Sequence, residues 1–301
     1  MSISGVSESK LNYNRMKKRH LGKFATVAVA ICLGFASCKQ IYYQVYDVDS
    51  KALTRQDNSL VYENSDLKLM YNLLGDNGTV GFIVKNQTDK DLFIDMKRTF
   101  FILNGKAYDY FQNREYTETE TSTVTREVVT THSYLASLGY WPTRYYVPTT
   151  MSGIAKQQKG HTNAVSRKEK EIVCVPANSY KVISEYAVFP TFVKTCTQSK
   201  DYPHGSVAVA TYTEKESPVK FRNRLAYSFN SDCSVLKEVE NDFYVSRVTN
   251  YSKKAAIETV KEKSDCNDSY KQKREYFKIG GPDKFYKTYY KTAIGSIDGM
   301  Y

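Results

Sequence analysis

Short apolar runs separated by turn-forming residues recur along most of this sequence, and they constrain its fold more than any other feature. In residues 79–86 (TVGFIVKN) Val80, Phe82 and Val84 share one face, as the two-residue period of a strand requires. Asp76, Asn77 and Gly78 lie between two such runs, and Asn and Gly accept the positive φ of tight turns. The runs lack sustained helical periodicity. We expect about eight to ten strands of typical length over residues 55–251.

The spacing of these runs is typical of a β-sandwich. We therefore predict a mainly β fold, with one immunoglobulin-like sandwich in the broad sense over residues 55–251. A long insertion, at about residues 114–168, separates the two sets of strands. The last segment, residues 252–301, is basic and rich in Tyr. Apolar residues at helical spacing near its start predict a short C-terminal helix, followed by a tail that docks on the core or contacts lipid head groups.

The insertion contains the candidate contact loop of this chain. Its first half is rich in Thr, which suits an extended hairpin. Its second half carries Tyr140, Trp141, Tyr145 and Tyr146 between prolines. Exposed rings in such a loop would form a contact patch for a protein or a sugar. The alternative is that the rings fold back and cover the sandwich, because aromatic side chains bury large areas.

The basic charge of the chain is concentrated at its two ends. The formal net charge is +11, of which +5 lies in residues 1–37 and +4 in residues 252–301, leaving +2 for the body. A body this close to neutral has no basic stripe of the kind that follows a phosphate backbone. We therefore predict that nucleic acid is not a partner.

The N-terminus has the layout of a secretory signal peptide. From Met16 a cationic stretch is followed by an apolar stretch that ends in small residues. The apolar stretch is shorter than the roughly 20 residues that a membrane-spanning helix needs. We therefore predict that residues 1–37 are a signal peptide, with Met16 as an alternative start of the chain.

The end of this signal predicts how the protein is anchored. An ordinary signal peptidase prefers a small residue where Phe35 stands, so Phe35 fits such a site poorly. Instead, Phe35-Ala36-Ser37-Cys38 resembles a bacterial lipobox. The resemblance implies cleavage between Ser37 and Cys38, acylation of Cys38, and a lipidated tether over residues 38–54. The alternative is that Cys38 only happens to end the apolar stretch of a plain secreted protein.

Several segments of the body, among them NSLVYENSDLKLMYNLL, EIVCVPANSYKVISEYAV and VENDFYVSRVTNYS, resemble uncharacterised lipoproteins of Bacteroides-group bacteria. This resemblance implies a location, the outer membrane of the cell envelope, but no activity and no site residue. Lipoproteins of this group that reach the cell surface carry acidic residues just after the cysteine. Lys39 and Gln40 stand there instead, which favours a protein that faces the periplasm.

Four cysteines besides Cys32 and Cys38 are candidates for disulfides: Cys174, Cys196, Cys233 and Cys266. An even number in an oxidising compartment permits two bridges. The alternative is that some or all are free and buried, because a domain of this size does not need bridges. Their spacing does not match a zinc site, and the sequence contains none of the common catalytic motifs. We predict neither a metal nor a cofactor.

These observations favour a lipid-anchored envelope protein that binds or supports another envelope component, either a protein or a glycan. The membrane is the expected first partner, through the acylated N-terminus. One alternative is an enzyme acting on glycan or peptidoglycan through carboxylates on separate strands. A second alternative is a surface adhesin.

Overall fold

The computed structural model describes residues 40–120, 163–264, 267–291 and 297–298 of the chain. The described part is mainly β, as the sequence predicts, and its sheets are antiparallel. Its helices are α1 (Gln198–Asp201) and α2 (Lys253–Ala256). The strands are β1 (Gln40–Asp49), β2 (Thr54–Gln56), β3 (Ser59–Glu63), β4 (Leu67–Tyr71), β5 (Phe82–Asn86), β6 (Leu92–Asp95), β7 (Phe100–Leu103), β8 (Lys106–Asp109), β9 (Glu115–Glu120), β10 (Asn163–Lys168), β11 (Ile172–Val175), β12 (Tyr180–Ile183), β13 (Ser206–Thr211), β14 (Lys220–Ser228), β15 (Lys237–Ser252), β16 (Ile257–Ser264), β17 (Asn267–Phe277), β18 (Lys284–Lys291) and β19 (Ile297–Asp298).

Two sheets make up most of the larger compact unit, which comprises residues 41–289. In the larger sheet the strands follow in the order β11, β6, β14, β15, β1 and β18, with β13 beside β15 and β7 between β14 and β8. The second sheet has the order β12-β5-β4-β3-β2. Two further pairs, β9 with β10 and β16 with β17, form hairpin-like ladders. In the small second unit, the end of β18 pairs with β19.

Side chains from both sheets form one hydrophobic core. Along β15, Val239, Asn241, Phe243 and Val245 are buried and alternate with more exposed residues. The ring of Tyr71, on the second sheet, lies 5.2 Å from the ring of Phe243. The Tyr71 hydroxyl donates a 2.8 Å hydrogen bond to Asn241 Oδ1, which satisfies this buried amide oxygen. The two sheets therefore pack against each other through this core.

The predicted tether is wrong over most of its length, because residues 40–49 form strand β1. This strand pairs with β15 on one edge, Tyr42 opposite Ser252, and with β18 on the other. Tyr42, Tyr43, Val45 and Tyr46 are all almost fully buried. A strand covered on both faces does not alternate between apolar and polar residues, so the pattern that revealed the other strands is absent here.

The predicted C-terminal tail is also part of the larger sheet. Strand β18 buries Phe285, Tyr286 and Tyr289, which confirms that this stretch docks on the core. The predicted helix is limited to α2, whose first turn is capped by the Ser252 hydroxyl accepting from the Ala255 amide. Beyond it, Ile257 of β16 lies opposite Phe277 of β17, and both are buried. This cross-strand apolar pair favours a hairpin over the expected continuation of the helix.

The predicted turn at Asp76, Asn77 and Gly78 does connect two antiparallel neighbours, β4 and β5. Asn77 and Gly78 have φ values of 62° and 77°, as the sequence predicts. A Cβ on Gly78 would lie 2.9 Å from Phe285 Cγ. Glycine is therefore required here both by the backbone and by the packing of β18.

The base of the insertion is an antiparallel ladder between β9 and β10, in agreement with an extended Thr-rich segment. At its foot, Arg114 forms ion pairs with Glu169, at 2.6 Å, and with Glu185. Glu169 Oε2 also accepts from the backbone amides of Gln112, at 2.9 Å, and Arg114, at 3.0 Å. These contacts fix the point at which the insertion leaves the sheets. Residues 121–162, which include the predicted contact loop, lie outside the described residues.

A second, smaller core cluster lies where β1 begins. It contains Tyr43 and Val45 of β1, Ile257 and Phe277 of the β16–β17 hairpin, and Tyr286, among others. In the part of the chain that the structure describes, the members of both clusters lie between Ile41 and Tyr286. A mature chain that begins at Cys38 retains all of them.

Candidate binding pocket

Most of the predicted site residues lie outside the described residues. These are the predicted cleavage and lipid-attachment residues, the four aromatic residues of the contact loop, and one of the four cysteines: Ser37, Cys38, Tyr140, Trp141, Tyr145, Tyr146 and Cys266. The lipid attachment and the contact patch therefore stay predictions.

The other three cysteines, Cys174, Cys196 and Cys233, are free thiols. Cys174 lies on β11 opposite Phe93 and is half-buried, Cys233 is buried, and Cys196 is exposed. Burial raises the pKa of Cys174 and of Cys233, which keeps these two thiols protonated and unreactive. The structure therefore does not bear out disulfides among these three, and the alternative of a free and buried cysteine holds fully for Cys233 alone. The core already described supplies the stability that bridges would otherwise add.

A small pocket lies between the larger sheet and the segment that follows β12. Its volume is about 260 Å³. The sheet contributes Tyr46, Val245 and Val248, and residues 188–193 (VFPTFV) form the opposite wall. Almost all of these side chains are apolar, so the pocket favours an apolar occupant.

Phe189, at the edge of this pocket, is the most unusual residue of the described chain. Its side chain lines the pocket, yet the residue is 72% exposed. Its φ is +47°, in the left-handed region that a bulky side chain rarely adopts. Its backbone amide donates to the Asn77 carbonyl at 2.9 Å, and the Val188 amide donates to the Gly78 carbonyl at 2.9 Å. These bonds hold a large apolar ring at the surface, at a cost of about 1 kcal/mol or more.

The wall that carries Phe189 is fixed by hydrogen bonds from buried side chains of β1. The Gln44 amide behaves like a strand partner of Val193: Nε2 donates to the Val193 carbonyl at 2.9 Å, and Oε1 accepts from the Val193 amide at 2.7 Å. Gln44 Nε2 also donates to Asn250 Oδ1 at 2.8 Å. The Tyr46 hydroxyl donates to Gln44 Oε1 at 2.5 Å. Every polar atom of the Gln44 side chain is therefore satisfied.

A buried lysine holds the same wall from β18. Lys287 is only 7% exposed, and its Nζ donates to the Pro190 carbonyl at 3.3 Å. Three side chains on two neighbouring strands, Gln44, Tyr46 and Lys287, thus point their polar atoms at the segment after β12. The pocket is built in advance, because its walls are tied together by these bonds.

The chemistry of the pocket is that of apolar binding. Among its polar lining groups, the Tyr46 hydroxyl is engaged with Gln44, and the Asn104 amide is engaged with the Pro218 carbonyl and the Lys220 amide. Burial raises the pKa of Tyr46, so the phenol stays neutral. An apolar cavity of about 150 Å³ can hold a benzene molecule. A volume of about 260 Å³ therefore accepts one aromatic or branched aliphatic side chain, but it is below the roughly 300 Å³ at which pockets for drug-sized ligands begin.

A second, shallower groove of about 820 Å³ lies along β14 and β15 and is lined by charged residues. Its carboxylates are engaged in ion pairs: Glu214 with Lys51, and Asp242 with Arg222 at 2.6 Å. The hydrogen bond from Lys51 lowers the pKa of Glu214, which keeps this group ionised. Both carboxylates that line the groove are therefore paired with basic side chains, and the groove does not offer a protonated carboxyl beside an ionised one.

This pocket could not be predicted from the sequence, because no local sequence pattern marks Phe189 as an exposed residue with a positive φ. Phe189 precedes Pro190 at the end of an apolar run, which predicts only the end of a strand. Its positive φ depends on carbonyls of residues 77 and 78, more than a hundred positions away in the sequence. Only the pairing of that turn with residues 187–189 places the ring at the surface.

Comparison with known proteins adds no family: no family model matches the chain, and neither a curated protein nor a solved structure matches it. Within the described ranges, His, Cys, Asp and Glu side chains do not form a group of three that could hold a metal ion. In the same part of the chain, no helix is both long enough and apolar enough to cross a membrane.

Proposed function

We propose that this protein is a lipid-anchored envelope protein that binds another envelope protein through Phe189 and the pocket beside it. In this proposal Cys38 carries the lipid, the anchor lies in the outer membrane, and the body faces the periplasm. The two packed sheets are proposed to form an immunoglobulin-like sandwich in the broad sense. The observation that carries the binding role is the exposed Phe189 ring, held in a rare backbone conformation at the edge of an apolar pocket.

The energetics of Phe189 support a binding role. A large aromatic residue that is 72% exposed gains nothing from its position in the free protein, and its positive φ is unfavourable. A partner that covers the ring would gain about 1.5–3 kcal/mol from its burial. The pocket would accept an apolar side chain of the same partner. Each protein would then bury one large apolar side chain of the other, as is typical of interface hot spots.

The lining of the pocket favours a protein over a glycan as the partner. Sugar hydroxyls need hydrogen-bonding partners when they leave water. The Tyr46 hydroxyl is already engaged with Gln44, and the buried side of the pocket is formed by Val188, Val245 and Val248. An aromatic or aliphatic side chain needs no polar partner and therefore fits this lining better.

Site-specific photo-crosslinking in intact cells tests this proposal. Phe189 is replaced by p-benzoyl-phenylalanine, and in a matched control the same replacement is made at Tyr180 of β12, which is 42% exposed. We expect a crosslinked species of discrete mass from position 189 and none from position 180. The proposal is contradicted if neither position yields a discrete species or if both yield the same one.

A further inference from the structure

The β16–β17 hairpin presents lysines directly opposite each other. In its register, Lys261 lies opposite Lys273 and Lys263 lies opposite Lys271. Lys261, Lys271 and Lys273 are exposed, and within the described residues none of these three has an acidic partner within 4.0 Å. Like charges that face each other across an antiparallel pair destabilise it. External negative charge close to this face would remove the repulsion.

The three glutamates of the hairpin whose side chains the structure describes do not neutralise this face. Glu262 lies on the opposite face, where it accepts a 2.7 Å hydrogen bond from the Tyr276 hydroxyl and pairs with Arg274 at 3.5 Å. Glu258 lies opposite Tyr276 and so belongs to that same face. Glu275 is on the lysine face but is engaged with Lys253 at 2.8 Å. The lysine face therefore keeps its positive charge.

The base of this hairpin packs against the start of β1, which closely follows the predicted lipid-attachment residue, Cys38, in the sequence. Phe277 packs against Tyr43 with ring centroids 5.4 Å apart, and Ile41 packs on the same cluster. Ile41 lies three positions after Cys38, and three extended positions span at most about 10 Å. An acyl chain on Cys38 would thus hold the base of the hairpin within roughly one Debye length of the membrane surface.

Two further exposed lysines stand at the same end of the larger unit. Lys254 belongs to α2, and the Lys278 Nζ donates to the Lys254 carbonyl at 3.0 Å. The Lys278 amide donates to the Ala256 carbonyl at 2.9 Å, which joins the end of β17 to α2. The positive charge therefore continues from the lysine face to the end of β15, beside the start of β1.

We infer that the lysine face of the β16–β17 hairpin lies against anionic lipid head groups and forms a second, electrostatic contact beside the lipid anchor. This inference rests on the proposed anchoring at Cys38. A basic patch beside a membrane anchor is attracted to the negative surface potential of anionic lipids. A nucleic acid is less favoured as the anionic partner, because the exposed residues described on this face include no aromatic ring on which bases could stack.

Vesicle co-sedimentation of the unacylated mature chain, residues 38–301 with Cys38→Ser, tests this contact without the lipid. The vesicles are phosphatidylcholine alone or phosphatidylcholine with one third phosphatidylglycerol. We expect binding only to the anionic vesicles, and its loss at about 0.5 M NaCl. The variant Lys261→Glu/Lys273→Glu should bind about tenfold more weakly or less. Lys261→Gln/Lys273→Gln should be intermediate.

A matched variant with the same charge change elsewhere, Lys90→Glu/Lys181→Glu, should lose much less binding, because both lysines are exposed on other loops and strands. Equal losses in the two double variants, or equal binding to both kinds of vesicle, would overturn the inference. Binding of a short DNA duplex that matches vesicle binding in strength and salt dependence would also overturn it. Because this chain carries no lipid, each of these results is independent of whether Cys38 is acylated in cells.

Discussion

Replacing Phe285 tests most directly whether the C-terminal strand β18 is part of the core. Its side chain is fully buried, its ring stacks on Tyr46 at 4.9 Å, and it covers Gly78 at the turn between β4 and β5. Replacing a fully buried Phe by Ala removes its transfer free energy, about 1.5–3 kcal/mol, and leaves a cavity between β1, β18 and that turn. Together these terms predict a loss of about 3–5 kcal/mol in the free energy of unfolding for Phe285→Ala.

Thermal or urea unfolding of the mature chain measures this loss. For a domain of this size, 3–5 kcal/mol corresponds to a decrease of roughly 6–20 °C in Tm. The matched control is Phe189→Ala, which removes the same ring from a position that is 72% exposed and should change stability by about 0.5 kcal/mol or less. If Phe285→Ala costs less than about 1 kcal/mol, or no more than Phe189→Ala, residues 284–291 do not belong to the core and the placement of β18 is wrong.

Three further predictions follow from single contacts. Phe189→Asn should leave stability unchanged or raise it by up to about 1 kcal/mol in urea unfolding, because Asn tolerates a positive φ, and a loss above about 1 kcal/mol would argue against the strain described at this residue. Burial alone would raise the pKa of Glu169, but hydrogen bonds from Arg114 and Gln112 lower it, so its stabilising effect is present above the unfolded pKa of about 4.3 and is lost as the pH falls through the lower folded value. Glu169→Gln should therefore cost about 0.5–1 kcal/mol at pH 7 and nothing at about pH 2, and a cost that is the same at both pH values would contradict this. Iodoacetamide labelling followed by peptide mass mapping should modify the exposed Cys196 quickly, the half-buried Cys174 more slowly and the buried Cys233 only after unfolding, and equal rates for Cys196 and Cys233 in the folded protein would show that Cys233 is not buried.

The strands that alternate could be predicted from the sequence, and those that are covered on both faces could not. In residues 79–86, Val80, Phe82 and Val84 belong to the main core as the pattern predicts, although Ile83 between them is buried as well, and the turn at Asn77 and Gly78 has the expected positive φ. Strand β1 lies between β15 and β18 with nearly all of its residues buried, so it lacks the polar alternation that marks an edge or half-exposed strand. Strands β1 and β18 are thus neighbours in the larger sheet rather than parts of a tether and a tail.

The C-terminal hairpin was missed for a different physical reason. Ala256, Ile257 and Val260 have helical spacing, but Lys, Glu and Thr alternate equally well on a strand. The choice is made by Phe277, which lies twenty residues after Ile257 and pairs with it over the start of β1. A local sequence pattern cannot predict this long-range contact. The same is true of the hydrogen bonds to the Asn77 and Gly78 carbonyls that set the backbone conformation of Phe189.

The N-terminal mass of the protein extracted from membranes tests the central claim, a lipid anchor on Cys38, most directly. Mass spectrometry of the N-terminal peptide should find a chain that begins at Cys38 and carries a diacylglycerol, in wild type and in the matched control Cys32→Ala. Cys38→Ala should remove this peptide and its lipid. An N-terminal peptide that begins elsewhere, or that begins at Cys38 without added lipid mass, would contradict the anchoring.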